Sequence, residues 1–312
     1  MAGTCVRSLT IGVTTALALW GSAFPAASAD LNGSEQVQNA KPAVAAASAW
    51  SFSFSTYGWA PWMSGSGMVN GRSFDVQATP SDALKNLDWS GLPAWMSYAE
   101  ARKGPIGLFN DVVYVKLAGS TALARSVSVG PGSASFGADI QGNFEQAVVE
   151  LGGAYQIGQW PSLSGNSAST AVDVLAGGRY WHQDASISAA LASTLLAGGP
   201  AGITISGNRA FANSGAVEWV DPFVGLRLRQ HLAMGQDFVV RGDFGGFGVG
   251  SKSSWQLLAT YNAQLLVSNG HRIDGYIGYR ALSVDYSKGS GSTGYEFNAN
   301  QQGPVLGLTV HF

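Results

Sequence analysis

The stretch GPVLGLTVHF, Gly303 to Phe312, decides the fold. Leu306, Leu308 and Val310 share one face of an extended chain, and Gly307, Thr309 and His311 share the other, a period of two. One face is apolar and the other small or polar. Such a strand, ending on an aromatic residue, suits a closed barrel whose outside meets lipid and whose inside does not.

Segments of the same kind recur upstream. Strands are expected at Trp50 to Met63, Leu92 to Arg102, Ile106 to Leu117, Gly142 to Ile157, Ala171 to His182, Val217 to Gln230, Phe238 to Val249, Ser254 to Leu266, Arg272 to Tyr286 and Tyr295 to Phe312. Links after the second, fourth, sixth and eighth are mostly short: RKGP, GQWPSLSGNSAST, HLAMGQD and SNGH. Links after the first, third and fifth are long, including a Gly/Ser stretch from Ala118 to Ile140 and a region from Gln183 to Ala216; the link near Gly250 breaks the rule. Short turns at one end and long loops at the other mark a membrane barrel, with both ends of the barrel on the short-turn, periplasmic side and an even strand number. The chain is therefore expected to be all-β, a transmembrane antiparallel up-and-down β-barrel of about 10 strands, range roughly 8 to 12. In the first link TPSDALKNLD reads as a turn or two of helix with Ser81 as N-cap. Met68 to Ala78 reads equally well as a further strand, which would move the count toward about 12.

Composition narrows the class. The formal charge is −2 and charged residues make up 12% of the chain, so there is neither a basic surface for nucleic acid nor an acidic tail. Arg7, the apolar run LTIGVTTALALW and the small residues Ala27 and Ala29 before Asp30 read as a secretory signal peptide over 1–29. Residues 30–49 carry no aromatic residue and read as a flexible periplasmic lead, with the barrel over 50–312. The single cysteine, Cys5, falls in the removable segment, which excludes disulfide and cysteine-metal chemistry from the mature chain. After that segment no run reaches the roughly 20 apolar residues of a spanning helix; the longest helical candidate, AALASTLL from Ala189, stops at AGGP. A bilayer admits only helices or closed barrels, because lipid cannot satisfy free backbone amides.

Charges fall on the face opposite the apolar set. Val172, Val174, Ala176 and Tyr180 oppose Asp173 and Arg179; Val220, Val224, Leu226 and Leu228 oppose Asp221, Arg227 and Arg229; Phe238, Val240 and Phe244 oppose Arg241 and Asp243. Glu100 and Arg102, Glu150, and Asp274 with Arg280 complete the set, whereas Asp111 shares its face with Val113 and Val115. An Arg or Lys facing lipid at mid-bilayer costs about 2–4 kcal/mol, so these groups are expected to fill the lumen and pair with one another. Trp50, Trp59, Trp62, Trp160, Trp181, Trp219, Trp255 and Tyr286 lie near strand ends and read as interfacial girdles.

Little else suggests chemistry. Four histidines exist, and only His182, near Asp184 and Ser186, falls at the outer rim where a lipid- or peptide-hydrolysing barrel would work. It is a weak catalytic candidate. There is no phosphate-binding loop, nucleophile elbow or metal-ligand spacing. No cofactor or metal is expected.

The motifs WAPWMSGSGMVNGR, SDALKNLD, EARKGPIGLFNDVVYV, LAGGRYWHQD, WVDPFVGLRLR, RGDFGGFGVGSKSSWQ, GYRALSVDY and GPVLGLTVHF span the whole chain after the lead. On them it resembles bacterial outer-membrane β-barrel proteins of the broad OmpA/OmpW-like type, and more closely an uncharacterised porin-like group of Gram-negative bacteria. The resemblance implies a barrel-assembly signal at Leu308, Val310 and Phe312, with the barrel-assembly machinery, outer-membrane lipid and lipopolysaccharide as partners. It implies no reaction. A non-enzymatic structural or surface-interaction barrel, or a narrow porin-like channel, is the leading expectation, with small solutes or extracellular ligands reached through the loops. An outer-membrane hydrolase using His182 is the alternative. A secreted β-sandwich is disfavoured by the terminal Phe312 and the aromatic strand ends.

Overall fold

The computed structural model describes residues 49–69, 72–129, 132–161, 169–197, 203–233, 235–268, 270–290 and 294–312. The expected signal peptide and nearly all of the expected lead lie outside them. Twelve strands and one short helix follow in order: β1 Ser51–Trp59, β2 Trp62–Val69, β3 Arg72–Ala78, α1 Pro80–Lys85, β4 Ala94–Lys103, β5 Ile106–Val129, β6 Gly132–Pro161, β7 Ser169–Ala197, β8 Ile203–Ala233, β9 Gln236–Gly245, β10 Ser253–Ser268, β11 His271–Lys288 and β12 Tyr295–His311. From β4 to β12 each strand pairs antiparallel with the next, and β1 pairs with both β12 and β4. Ten staves therefore close a barrel, so the first and last staves pair with each other and neither is left as an open edge of the sheet.

GPVLGLTVHF is the closing stave. Val305 to His311 register with Trp59 to Ser53 on one side, and Gly303 to His311 with Arg280 to Arg272 on the other. Phe312 exchanges two backbone hydrogen bonds with Phe52, at 2.9 and 3.5 Å. Leu306 and Leu308 project outward while Val305 is buried inside. Tyr276 lies over Gly307, where a Cβ would come within 2.5 Å of its ring.

Residues 72–78 are indeed a strand, yet β3 pairs only with β2, so the stave count stays at ten. β2 continues the line of β1 along β12 past a break at Ala60 and Pro61. Pro61 can donate no ladder bond, and opposite it Gly303 leaves room for the bend: a Cβ there would meet the Ala60 carbonyl oxygen at 2.3 Å. The break opens a seam. The β1–β4 ladder ends at Thr56 and Ser97, so Tyr57, Gly58 and Trp59 run beside Ala94, Trp95 and Met96 without pairing to them. The Trp59 amide donates instead to the Met96 thioether, at 3.1 Å.

Two segments read as loops prove to be strand. β5 runs on to Val129 and meets β6 from Gly132, and β7 runs on to Ala197 and meets β8 from Ile203. AALASTLL accordingly lies in β7, with no helical turn. These outer halves pair only among β5, β6, β7 and β8. Their residues are mostly small or polar, so the period-two signal that marks a half-buried strand is muted. The helix starts two residues earlier than its sequence suggests. Thr79 is the N-cap and Pro80 the first helical residue, with Asp82 closing a capping box back to Thr79; proline's fixed φ suits that first position and displaces Ser81 from the cap.

Candidate lumen site and outer cup

The alternation of each stave sorts its side chains. Leu151, Val220, Val224, Leu226, Phe244, Leu257, Ile277, Leu306 and Leu308 face out and are exposed, a ring of apolar groups around the wall. The opposite parity is buried and charged, in three layers.

The middle layer balances three carboxylates against three guanidiniums. Glu150 accepts from Arg179 Nε at 2.8 Å and from Arg241 Nη2 at 2.6 Å, and Asp243 accepts from Arg179 at 2.5 Å and Arg241 at 3.1 Å. Arg280 pairs with Asp111 at 3.1 Å and approaches Glu150 at 3.7 Å, while Tyr57 donates to Asp111 at 2.6 Å. The guanidinium faces rest on aromatic rings: Arg241 on Phe109 (4.9 Å) and Phe223 (5.5 Å), Arg179 on Phe223 (5.2 Å), and Arg280 on Trp59 (5.1 Å). Planar cations that use their edges for carboxylates and their faces for rings explain why arginine, and not lysine, fills this level. Glu150 and Arg179 are both 0% exposed.

A second layer, toward the short turns, sets Arg102, Arg227 and Arg229 against Glu100 and Asp173. Arg227 donates to both carboxylates, Arg102 pairs with both, and Arg229 bonds Asp173 and Gln156. Three guanidiniums face two carboxylates, and the layer borders a rim cavity of about 460 Å³. A third group at that rim joins Asp274 to Arg272 (2.8 Å) and His311 (2.9 Å), with His231 paired to Asp237.

Of the residues singled out from sequence, Glu100, Arg102, Glu150, Asp173, Arg179, Arg227, Arg229, Arg241, Asp243 and Arg280 come together in the first two layers, and Asp274 sits in the third. Asp221 does not join them: it accepts from the backbone and side chain of Ser251, at 2.6 and 2.8 Å, and from the Trp219 indole, anchoring the outer turn between β9 and β10. Asp111 is a member that apolar neighbours concealed. Phe109 and Phe223 were legible only as strand residues of the same parity as Asp111 and Arg227.

Four of the expected girdle aromatics are inside. Trp59, Trp181, Trp219 and Tyr286 are buried, with Trp181 over Trp219 at 5.5 Å and Trp219 over Tyr286 at 3.8 Å. Trp50, Trp62, Trp160 and Trp255 remain exposed. The inward-facing parity of Trp59, Trp181 and Trp219 puts them above the middle layer, where the lumen changes from ionic to apolar. Gln146 and Gln301 exchange two amide hydrogen bonds at that boundary, 2.8 and 3.2 Å. Beyond them opens a cup of about 940 Å³, walled by Trp59, Met96, Val113, Val115, Phe144 and Phe297 and crossed by the segment from α1 through Leu87.

That segment is tied to β5 by Asp88 and Lys116, 3.1 Å apart, and by backbone bonds from Asp88 to Lys116 and from Ala118 to Asn86. The Ser90 hydroxyl and amide, and then Lys116, hold the Asp88 carboxyl down at about 2. Thr79's hydroxyl and amide likewise lower Asp82.

His182 takes the outward parity of β7. Its Nδ1 lies 3.1 Å from Glu218 of β8, which is itself exposed, and Ser186 bonds Asn143 at 3.3 Å. A nucleophile, base and orienting acid are not assembled there. Among the described residues no group of three or more His, Cys, Asp or Glu is placed to hold a metal ion.

No family model matches the chain, and no curated protein matches it. Solved structures that align with it include a Pseudomonas aeruginosa FadL homologue (6% identity, 84% of this chain and 89% of that one, TM-score 0.26). Pseudomonas aeruginosa OccK1 (OpdK) aligns at 8% identity over 84% of this chain and 98% of that one, TM-score 0.23. The Pseudomonas putida toluene transporter TodX aligns at 8% identity over 86% and 91%, TM-score 0.20. At these scores the alignments add nothing to the fold read from the ladders themselves, and the resemblance to the OmpA/OmpW-like type rests on its sequence motifs alone.

Proposed function

We propose that this chain is a non-enzymatic outer-membrane barrel of the porin-like class whose lumen is closed at mid-height, so that it binds at its ends and does not pass solutes freely. The burial and mutual pairing of Glu150, Arg179, Arg241, Asp243, Asp111 and Arg280 carry the reading. A permeating ion would have to separate these buried charge pairs, and removing one partner of such a pair costs about 3–5 kcal/mol. The ring of outward apolar side chains supports a bilayer setting, with lipid and lipopolysaccharide against the wall. The short-turn rim, which holds both ends of the barrel sheet, would then be periplasmic. There Leu308, Val310 and Phe312 would offer the barrel-assembly signal, while the long hairpins reach extracellular ligands.

Planar-bilayer recording tests this. The unaltered protein should show no stepwise conductance, and the paired change Glu150→Ala with Arg241→Ala should produce openings. Sustained conductance from the unaltered protein would overturn the closed lumen. One observation favours a second reading, a narrow channel: the excess guanidinium of the Arg102, Arg227 and Arg229 layer would make any such conductance anion-selective.

A further inference from the structure

The outer halves of β5 to β8 form a half-wall whose two faces differ in character. We infer that its hollow side, over residues 121–140 and 189–211, is a docking groove for an amphipathic helix of an extracellular polypeptide, one with acidic residues on both flanks of its apolar stripe. This rests on the reading above that the long hairpins stand outside the cell.

The register assigns the faces. Val148 pairs with Val113 and with Trp181, and Trp181 pairs with Trp219, all of them buried in the lumen. From that level upward the ladders show no register shift, so the lumen parity carries over into the outer halves. On it stand Leu123, Val127, Phe136, Leu191, Leu195 and Ile205. On the opposite parity stand Ser126, Ser135, Asp139, Thr194, Ser206 and Asn208, of which Ser135, Asp139 and Ser206 are exposed. A sheet with water on both sides has no use for one apolar face, and Leu191 is 41% exposed on it. The neighbouring elements stop lower: β9 leaves its ladder with β8 at Gly245, β11 ends at Lys288, and the strap from α1 through Leu87 bonds β5 only at Leu117 and Ala118.

Size and charge select the occupant. Four strands about 4.8 Å apart, followed for about nine residues at 3.4 Å, make a face of roughly 19 by 30 Å. A partner seated on it would bury on the order of 1,100 Å² in total, enough for a specific but transient contact. Within these segments the lumen parity holds two arginines and no acidic residue. Arg125 stands on β5 and Arg209 on β8, the two lips of the half-wall, and Arg209 falls in the row of Leu191, Ala138 and Leu123, two residues from Arg125. An apolar centre between arginine-bearing edges is the anatomy of a protein interface. A second copy would bring four guanidiniums together with no carboxylate on either face, and like charges oppose such a pairing. A single alkyl acid is about one strand wide and would leave most of the face in water. A helix about 10 Å across and about 30 Å long, some 20 residues, fits the hollow. Carboxylates on both its flanks would meet Arg125 and Arg209.

The test uses the full chain in lipid nanodiscs, with empty discs as the blank. A fluorescent peptide of about 20 residues, its leucine stripe flanked on both sides by glutamates, should bind saturably by anisotropy. The same stripe flanked by lysines should bind about tenfold more weakly. Arg125→Glu and Arg209→Glu should each weaken the glutamate peptide about tenfold while heat-modifiable migration is retained, and the double reversal should bind the lysine peptide instead. Leu191→Asp should weaken both matched pairings. Equal binding of the two peptides, or no rescue by the double reversal, overturns the groove. Displacement of the peptide by decanoate, or a dimer in sedimentation that Leu191→Asp dissolves, also overturns it, by giving the face to another occupant. Intact cells displaying the chain separate this inference from the reading beneath it: peptide bound by discs and not by cells removes the outward orientation and leaves the groove, and no binding to either removes the groove.

Discussion

Arg241 shows how one side chain serves several partners: its edge bonds Glu150 and Asp243 while its face lies on Phe109 and Phe223. Arg241→Lys should therefore destabilise the barrel nearly as much as Arg241→Ala, because an ammonium keeps the charge and loses the fork and the stacking. Glu150→Gln should cost about 3–5 kcal/mol in urea unfolding from vesicles, since it leaves Arg179 and Arg241 facing one charge fewer in a buried layer. At the strap, the Asp88 carboxyl is held at about 2 by Ser90 and then Lys116. A depressed carboxylate stabilises above its ordinary value near 4 and loses that contribution as pH falls through the folded value. The Ser90 amide resonance, whose N–H lies 2.9 Å from Asp88 Oδ1, should thus hold steady from neutral pH and shift with a midpoint near 2. The parity of Asp173 and Arg227 was legible because each alternates with aliphatic neighbours, and that of Arg179 and Arg241 followed from the apolar residues of opposite parity in their strands. Asp111 was not, since valines of its own parity face the cup and make its face look apolar.

At the scale of elements, the last stave explains the seam. Gly303 lacks a side chain where Ala60 and Pro61 turn away, and Gly307 lacks one where Tyr276 lies across. Gly303→Ala should cost about 1–3 kcal/mol, because the Ala60 carbonyl would sit 2.3 Å from the new methyl. Gly58→Ala, with nothing within 4 Å of its Cβ, is the control and should leave unfolding nearly unchanged. The strands nearest the short turns were readable from sequence because one face of each is apolar and exposed and the other charged and buried. The outer halves of β5 to β8 were not: their many small and polar residues blur the alternation and read as loop. The helix itself was visible, but its cap is Thr79 and not Ser81, because proline's fixed φ suits the first helical position and Asp82 closes the capping box back to Thr79.

Over the whole molecule, two bodies of sheet share four strands. Residues 121–140 and 189–211 pair only among themselves, so excising both should leave a heat-modifiable barrel of undiminished thermal stability, and loss of the compact gel form would show that they brace the staves. The charge layers occupy the lower lumen and the aromatics line the upper lumen, a division that parity alone did not reveal. Trp59, Trp181 and Trp219 carry the same residue type as interfacial anchors, and only the register showed them pointing inward. Their packing has an optical consequence. Trp181 and Trp219 are held 5.5 Å apart at 11° between ring planes, and Tyr286 stacks 3.8 Å from Trp219. Transition dipoles this close mix into delocalised excited states, so the folded barrel should show a paired positive and negative circular-dichroism band in the indole region that Trp219→Phe abolishes, a native signature of the upper lumen that needs no attached label.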